Sequence, residues 1–140
     1  MRLDTILRVV SKLFIPFIFI FGLYVQLHGD FGPGGGFQAG VILAAGVILY
    51  AIIYGLNPAE RAVPRALVEF LVPLGVLIFA GVGLGGIASG GNYLEYNKLI
   101  HGDAIHGQHW GVFLVEIGVL VTVASTMIAI FYAFAGRGRP

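Results

Sequence analysis

Four apolar runs, each close to the length of a membrane crossing, constrain this 140-residue chain more than any other feature. About 20 consecutive apolar residues cross a bilayer core as a helix. No water meets the backbone there, so each segment must satisfy its own N–H and C=O groups, and an open sheet edge is excluded. Hydropathy places the spans at residues 6–27, 37–56, 67–88 and 110–134. Hydrophobic residues make up 58% of the chain and charged ones 11%, against roughly 25% charged in soluble domains. The expected fold is therefore all-α: a four-helix integral membrane protein, with residues 1–140 forming a single membrane domain. The first run is not expected to be a cleaved signal peptide, because a glycine-rich turn and a second span follow it where a small-residue cleavage site would stand.

Charge sets the expected direction. Seven of the eight Lys and Arg residues flank one side of the predicted spans: Arg2, Arg8, Lys12, Arg61, Arg65, Arg137 and Arg139. Lys98 falls on the other side. The positive-inside rule then makes both termini cytoplasmic, in a multi-pass protein of the cell membrane. A net charge of +1 argues against a nucleic-acid partner. With no cysteine, disulfides, thiolate metal sites and cysteine nucleophiles are excluded.

Between the first two spans lies Asp30-Phe31-Gly32-Pro33-Gly34-Gly35-Gly36-Phe37. A surface turn needs a glycine or two, whereas this joint uses four and a proline, then enters an apolar helix without a charged stop. Glycine admits positive φ and close approach, and proline fixes φ and removes a donor. The pattern predicts a shaped joint, re-entrant or protein-covered, rather than a flexible hinge. Gly36, Gly40 and Ala44 continue it as a stripe spaced by four, and Gly81 and Gly85 repeat the spacing in the third span; both suit close helix packing. Pro16 and Pro73 are expected to loosen the first and third helices.

Few residues could carry chemistry. Glu116 lies six residues past Trp110, roughly 9 Å deeper at 1.5 Å per residue. An ionisable group there is costly and marks either an ion or proton site or a neutral hydrogen-bonding tie between helices. Val112, Leu120 and Val123 share its side of the helix, while Gly118, Thr122 and Ser125 take the other. If both sides avoid lipid, four helices struggle to cover this one, which favours a larger assembly. Glu69, four residues after Arg65, reads as an exposed i, i+4 ion pair, or as a cytoplasmic entry point for ions. His28 and Asp30 border the joint, and His101, Asp103, His106 and His109 share a loop on the same side. Their spacing matches no metal-site signature. Interfacial histidines with no bound metal are expected, and no cofactor.

From His28-Gly29-Asp30 through Pro33-Gly34-Gly35-Gly36-Phe37-Gln38-Ala39-Gly40-Val41-Ile42-Leu43-Ala44, the chain resembles the small B subunit of Mrp-type (Mnh-type) Na+/H+ antiporters. The size and four-span layout are similar as well. The lead-in from His28 to Gly32 departs from that family's usual Gly-His-Asn type. The resemblance implies a non-catalytic subunit, not an enzyme, in a complex of several different membrane subunits that exchanges Na+ for H+. It implies Na+ and H+ as transported ions and other membrane subunits and lipid as partners. On that reading Glu116, Glu69, Asp30 and His28 are ion- or proton-path candidates, and Pro33, Gly34, Gly35, Gly36 and Phe37 form the functional joint. Related B-like subunits in membrane-bound hydrogenases leave a redox-driven pump as the alternative host.

Overall fold

The computed structural model describes residues 2–29, 34–98 and 104–137. Five α-helices and a 3-10 turn account for most of them: α1 (Arg2–His28), α2 (Gly36–Tyr54), α3 (Leu56–Ala62), α4 (Arg65–Ala88), the turn Tyr96–Lys98, and α5 (Ala104–Ala135). The described residues contain no strand. Four helices, all but α3, are long and apolar enough to cross a membrane. The chain is a multi-pass, all-α membrane protein.

The boundaries follow from backbone chemistry. At both ends of α2 stands a glycine in a conformation that L side chains rarely adopt, Gly35 at φ 128° and Gly55 at φ 98°. The second helix therefore breaks at Gly55, just ahead of the end at residue 56 expected from hydropathy. Pro58 instead sits in the first turn of α3, where its missing N–H would have had no helical acceptor anyway. The helical assignment of α1 and α4 continues through Pro16 and Pro73. α4 closes with Gly90 N–H donating to Ile87 O at 2.9 Å and Gly91 N–H to Gly86 O at 3.0 Å, bonds that satisfy otherwise orphaned carbonyls. α5 starts at Ala104, ahead of Trp110, and its 32 residues extend about 48 Å, well beyond a core of roughly 30 Å.

The helices pack chiefly as neighbours in the order α4, α5, α2, α1. α5 is thus covered by α2 on one side and α4 on the other. The chain's own helices thus reach both of the sides that four helices were expected to struggle to cover: Glu116, Leu120 and Val123 meet α2, while Gly118 and Thr122 meet α4. Both contacts are at backbone distance. A β-carbon on Gly75 of α4 would stand 2.6 Å from Gly118 O and from Thr122 N, and would overlap the Thr122 hydroxyl. Gly81, one of the expected pair, does not make this contact. Gly81 has open space around it, because the α5-facing side of α4 runs through Gly75 and Phe79.

The core is densest where α3 folds back. Ala44, Ala51, Ala59, Val68, Ile128 and Tyr132 form one buried cluster. Tyr132 is 1% exposed, and its hydroxyl donates to Val63 O at 3.1 Å. Arg65 Nη2 donates to Tyr132 O at 3.2 Å and to Glu60 Oε1 at 3.3 Å. The Arg65–Glu69 pair expected from sequence does not form. The short helix carries Glu60 back toward Arg65, and the Tyr132 carbonyl holds the guanidinium against α5. The Arg65–Glu60 pair is exposed and contributes little stability by itself.

The two glycines of α4 generate opposite expectations. Gly75→Ala should lower the thermal unfolding temperature of the detergent-solubilised protein, because α4 and α5 must separate. Gly81→Ala should leave it unchanged or raise stability by about 0.5–1 kcal/mol through helix propensity. Equal melting temperatures for the two variants would contradict the packing described.

Candidate functional site

α1 ends, α2 begins and α5 passes at one place in the fold, and Glu116 lies there. The approach of α2 to α5 sets the geometry. A β-carbon on Gly36 would overlap the carbonyl oxygen of Glu116, and one on Gly40 would lie 2.9 Å from Leu120 O and 3.0 Å from Val123 Cβ. Side chains at these positions would push the helices apart. The stripe of Gly36, Gly40 and Ala44, all buried, is the α5-facing seam of α2.

The Glu116 carboxyl is half-buried and enclosed by the glycine joint. Its Oε2 lies 3.1 Å from where a β-carbon on Gly29 would stand, and its Oε1 lies 3.2 Å from that position on Gly35. Gly34 fits equally tightly against α1, its β-carbon position being 2.7 Å from Val25 O. Glycine is thus required at Gly35 for two reasons, its backbone angle and the carboxyl beside it. Electrostatics suit the arrangement. Gly35 provides no side-chain cap for α2, so the first-turn N–H groups and the positive end of the helix dipole face this region and favour a carboxylate there. The helix start offsets part of the desolvation cost of an ionisable group in an apolar layer.

Other residues singled out by sequence fall in different places. His28 is half-buried beside the joint and stacks on Tyr24, with ring centroids 5.3 Å apart. Phe37 is 63% exposed and lines an open cleft of about 460 Å³ with Phe21, Val25, Gln38, Val41 and Ile42. Asp30 and Pro33 lie outside the described residues, as do His101 and Asp103. His106 and His109 belong to the first turns of α5, with the His109 ring 6.4 Å from Trp110. Among the described residues no group of three or more His, Asp or Glu side chains converges. Glu69 is exposed at the opposite end of the bundle, on a small cavity of about 60 Å³ that Arg65, Ala129 and Tyr132 also line. From Glu116 to Ala129 is about 20 Å along α5, so the two carboxyls do not share a site.

The described part of the connection from α4 to α5, residues 89–98, packs at the same end of the bundle as the joint. Rings of Tyr93 and Tyr96 occupy the space that side chains at Gly83 and Gly111 would fill. Glu95 Oε2 accepts from the Asn92 backbone N–H at 2.7 Å and from its side-chain amide at 3.2 Å. Burial pushes the Tyr96 phenol above its ordinary range, and the neighbouring Tyr93 adds to the rise. Tyr96 remains a neutral hydroxyl at physiological pH.

One polar residue at this end has no counterpart among the residues singled out by sequence. Gln26 of α1 is 6% exposed, and neither its Nε2 nor its Oε1 has a hydrogen-bond partner. Its signal is faint: a glutamine on the same helix face as Gly22 and Gly29, one turn from the joint.

A family profile described as "Domain related to MnhB subunit of Na+/H+ antiporter" matches residues 6–129. A provisionally named antiporter subunit mnhB2 of Staphylococcus haemolyticus is 27% identical over 135 residues, covering 95% of each chain. The B subunit of the Na(+)/H(+) antiporter of Bacillus subtilis is 27% identical over 133 residues, covering 89% of this chain and 92% of its own. Its counterpart from Alkalihalophilus pseudofirmus, also named as a Na(+)/H(+) antiporter B subunit, is 26% identical with the same coverage.

The geometry separates the joint's glycines by what a methyl group would meet. Gly36→Ala collides with the α5 backbone and should abolish recovery of folded protein. Gly29→Ala meets mainly the carboxyl end of Glu116 and the joint backbone at 3.1 Å, and should leave folded protein recoverable. Size-exclusion profiles of tagged variants in detergent check this; equal recovery of both would contradict the backbone contact.

Proposed function

Because this chain belongs to the family of domains related to the MnhB subunit of the Na+/H+ antiporter, we propose that it is the B-type member of a multi-subunit Na+/H+ antiporter in the cell membrane. In that role it is not an enzyme, and it works with other membrane subunits rather than alone. The enclosure of the Glu116 carboxyl by Gly29 and Gly35 carries the functional part of the reading. An ionisable side chain set into an apolar helix is costly, and here three helices are shaped around it.

On this reading both termini face the cytoplasm, as the distribution of Lys and Arg favours. The joint and Glu116 then lie toward the outer surface, where protons enter during Na+ export. The bulk of α1 supports a partner role. It packs on α2 and barely touches α5, leaving Phe14, Phe17, Ile20, Phe21 and Leu27 exposed for lipid or neighbouring subunits. The relatives described above are named as antiporter subunits, which favours this host over a redox-driven pump.

Two experiments test the proposal. Glu116→Gln keeps shape and removes the charge, and antiport in everted vesicles should fall by about a hundredfold or more, on the scale of losing a proton-transfer group; unchanged antiport with normal assembly would sink the ionic role. Purification of the tagged chain from its native membrane should bring down other antiporter subunits, and the chain expressed by itself should show no antiport. Recovery with metal-containing soluble oxidoreductase subunits would overturn the choice of host.

A further inference from the structure

Gln26 is the most conspicuous loose end in the fold. A buried amide with both polar atoms unpartnered costs a few kcal/mol, and native structures keep few such groups without a use. Its position shows where it belongs. Among the residues of α1 whose burial is described, Ser11, Ile15, Gly22 and Gln26 are the buried ones, and they mark the side that packs on α2. Gly22 packs on Leu43 and Gly29 on Gly35, so the antiparallel register sets Gln26 opposite Ala39, which is fully buried and small. Gly29, three residues on and therefore on the same helix face, is the residue that touches the Glu116 carboxyl. Gln26 lies one turn below that contact on the same face of α1.

We propose that Gln26 and Glu116 form a single proton-exchange site at the junction of α1, α2 and α5, in which the Gln26 amide serves the carboxyl directly or through one bridging water. The site deepens the functional reading above and rests on it for the meaning of the exchange. An amide offers a donor and an acceptor on one flexible arm. Its N–H can donate to a carboxylate, and its C=O can accept from a carboxylic acid, so it fits both protonation states of Glu116. In proton uptake a hydronium ion at the joint end loses one O–H bond and becomes water, the carboxylate gains that proton and becomes the acid, and no other bond changes. A bare Na+ fits less well. It would engage Oε1 and leave the amide's two N–H donors unpartnered, beside the positive end of the α2 dipole. Among the described residues, the other titratable groups toward this end are Tyr24 and His28 on α1, His106 and His109 on α5, and Tyr93, Glu95, Tyr96 and Lys98 in the connection between α4 and α5; Asp30, His101 and Asp103 lie outside the described residues, and the joint-end half of α2 carries none.

The test reads the carboxyl itself. Infrared difference spectra of the chain, purified with its native partners, identify the Glu116 C=O band as the one missing in Glu116→Gln. Transfer to D2O then gives its exchange rate. Gln26→Met keeps the volume and removes both polar atoms, and should slow that exchange by about tenfold, on the scale of one lost hydrogen bond. Gln26→Asn, which keeps the amide, should restore part of it. Exchange unchanged in Gln26→Met would overturn the proposal, as would a Glu116 band moved by Na+ titration in wild type and unmoved in Gln26→Met. Because the band needs no transport, a normal Gln26 effect without antiport would refute the antiporter reading alone. If Gln26→Met does not assemble, Gln26→Asn against wild type decides: identical exchange and identical band position would overturn the proposal.

Discussion

The close approach of α2 to α5 is the contact on which the rest depends. Gly36 and Gly40 let the two backbones meet with no side chain between them, and the approach fixes where the Glu116 side chain goes. Had either glycine carried a β-carbon, α2 would stand farther off and the carboxyl would no longer reach Gly29 and Gly35. Among membrane helices, where lipid is as apolar as leucine, such contacts supply packing energy that the hydrophobic effect does not. The matching contact of Gly75 with Gly118 and Thr122 fixes the other side of α5, making that helix the axis of the protein.

The two ends of this axis are built differently. At the α3 end, packing is dense and hydrogen-bonded, with Tyr132 and Arg65 tying α3, α4 and α5 together. The joint end relies on glycines, a half-buried carboxyl and an amide without a partner. Stability is thus concentrated away from the polar site. Such a division suits the proposed role, in which an ionisable group changes state while its scaffold stays in place.

Much of this was legible in the sequence for physical reasons. Long apolar runs must be helices in lipid, so the spanning elements could be read from hydropathy. The stripe of Gly36, Gly40 and Ala44 announced close packing because small residues at i, i+4 share a face. What escaped notice lacked a periodic signal. α3 is seven residues long, and its proline reads as a stop until the backbone angle of Gly55 is known. The first turns of α5, rich in His, Gly and Gln, have no apolar face to count. Arg65 pairs with Glu60 rather than Glu69 because a tertiary contact at Tyr132 overrides the local i, i+4 preference. Gln26 was invisible for a subtler reason: near a helix end it reads as an interfacial residue, and its burial depends on α2 crossing at Ala39. Glu116 stood out by depth alone, but its neighbours Gly29 and Gly35 are more than eighty residues away in sequence, and only the fold joins them.

We propose that the Glu116 carboxyl, held beside Gly29 and Gly35, takes up and releases protons from within the membrane. A hydrophobic carbodiimide reacts with protonated carboxyls in apolar surroundings, so its site of attachment in the native complex tests that claim most directly. Peptide mass spectrometry should place the adduct on Glu116, with antiport lost in proportion to labelling. Inhibition with the label elsewhere and Glu116 unmodified would contradict it.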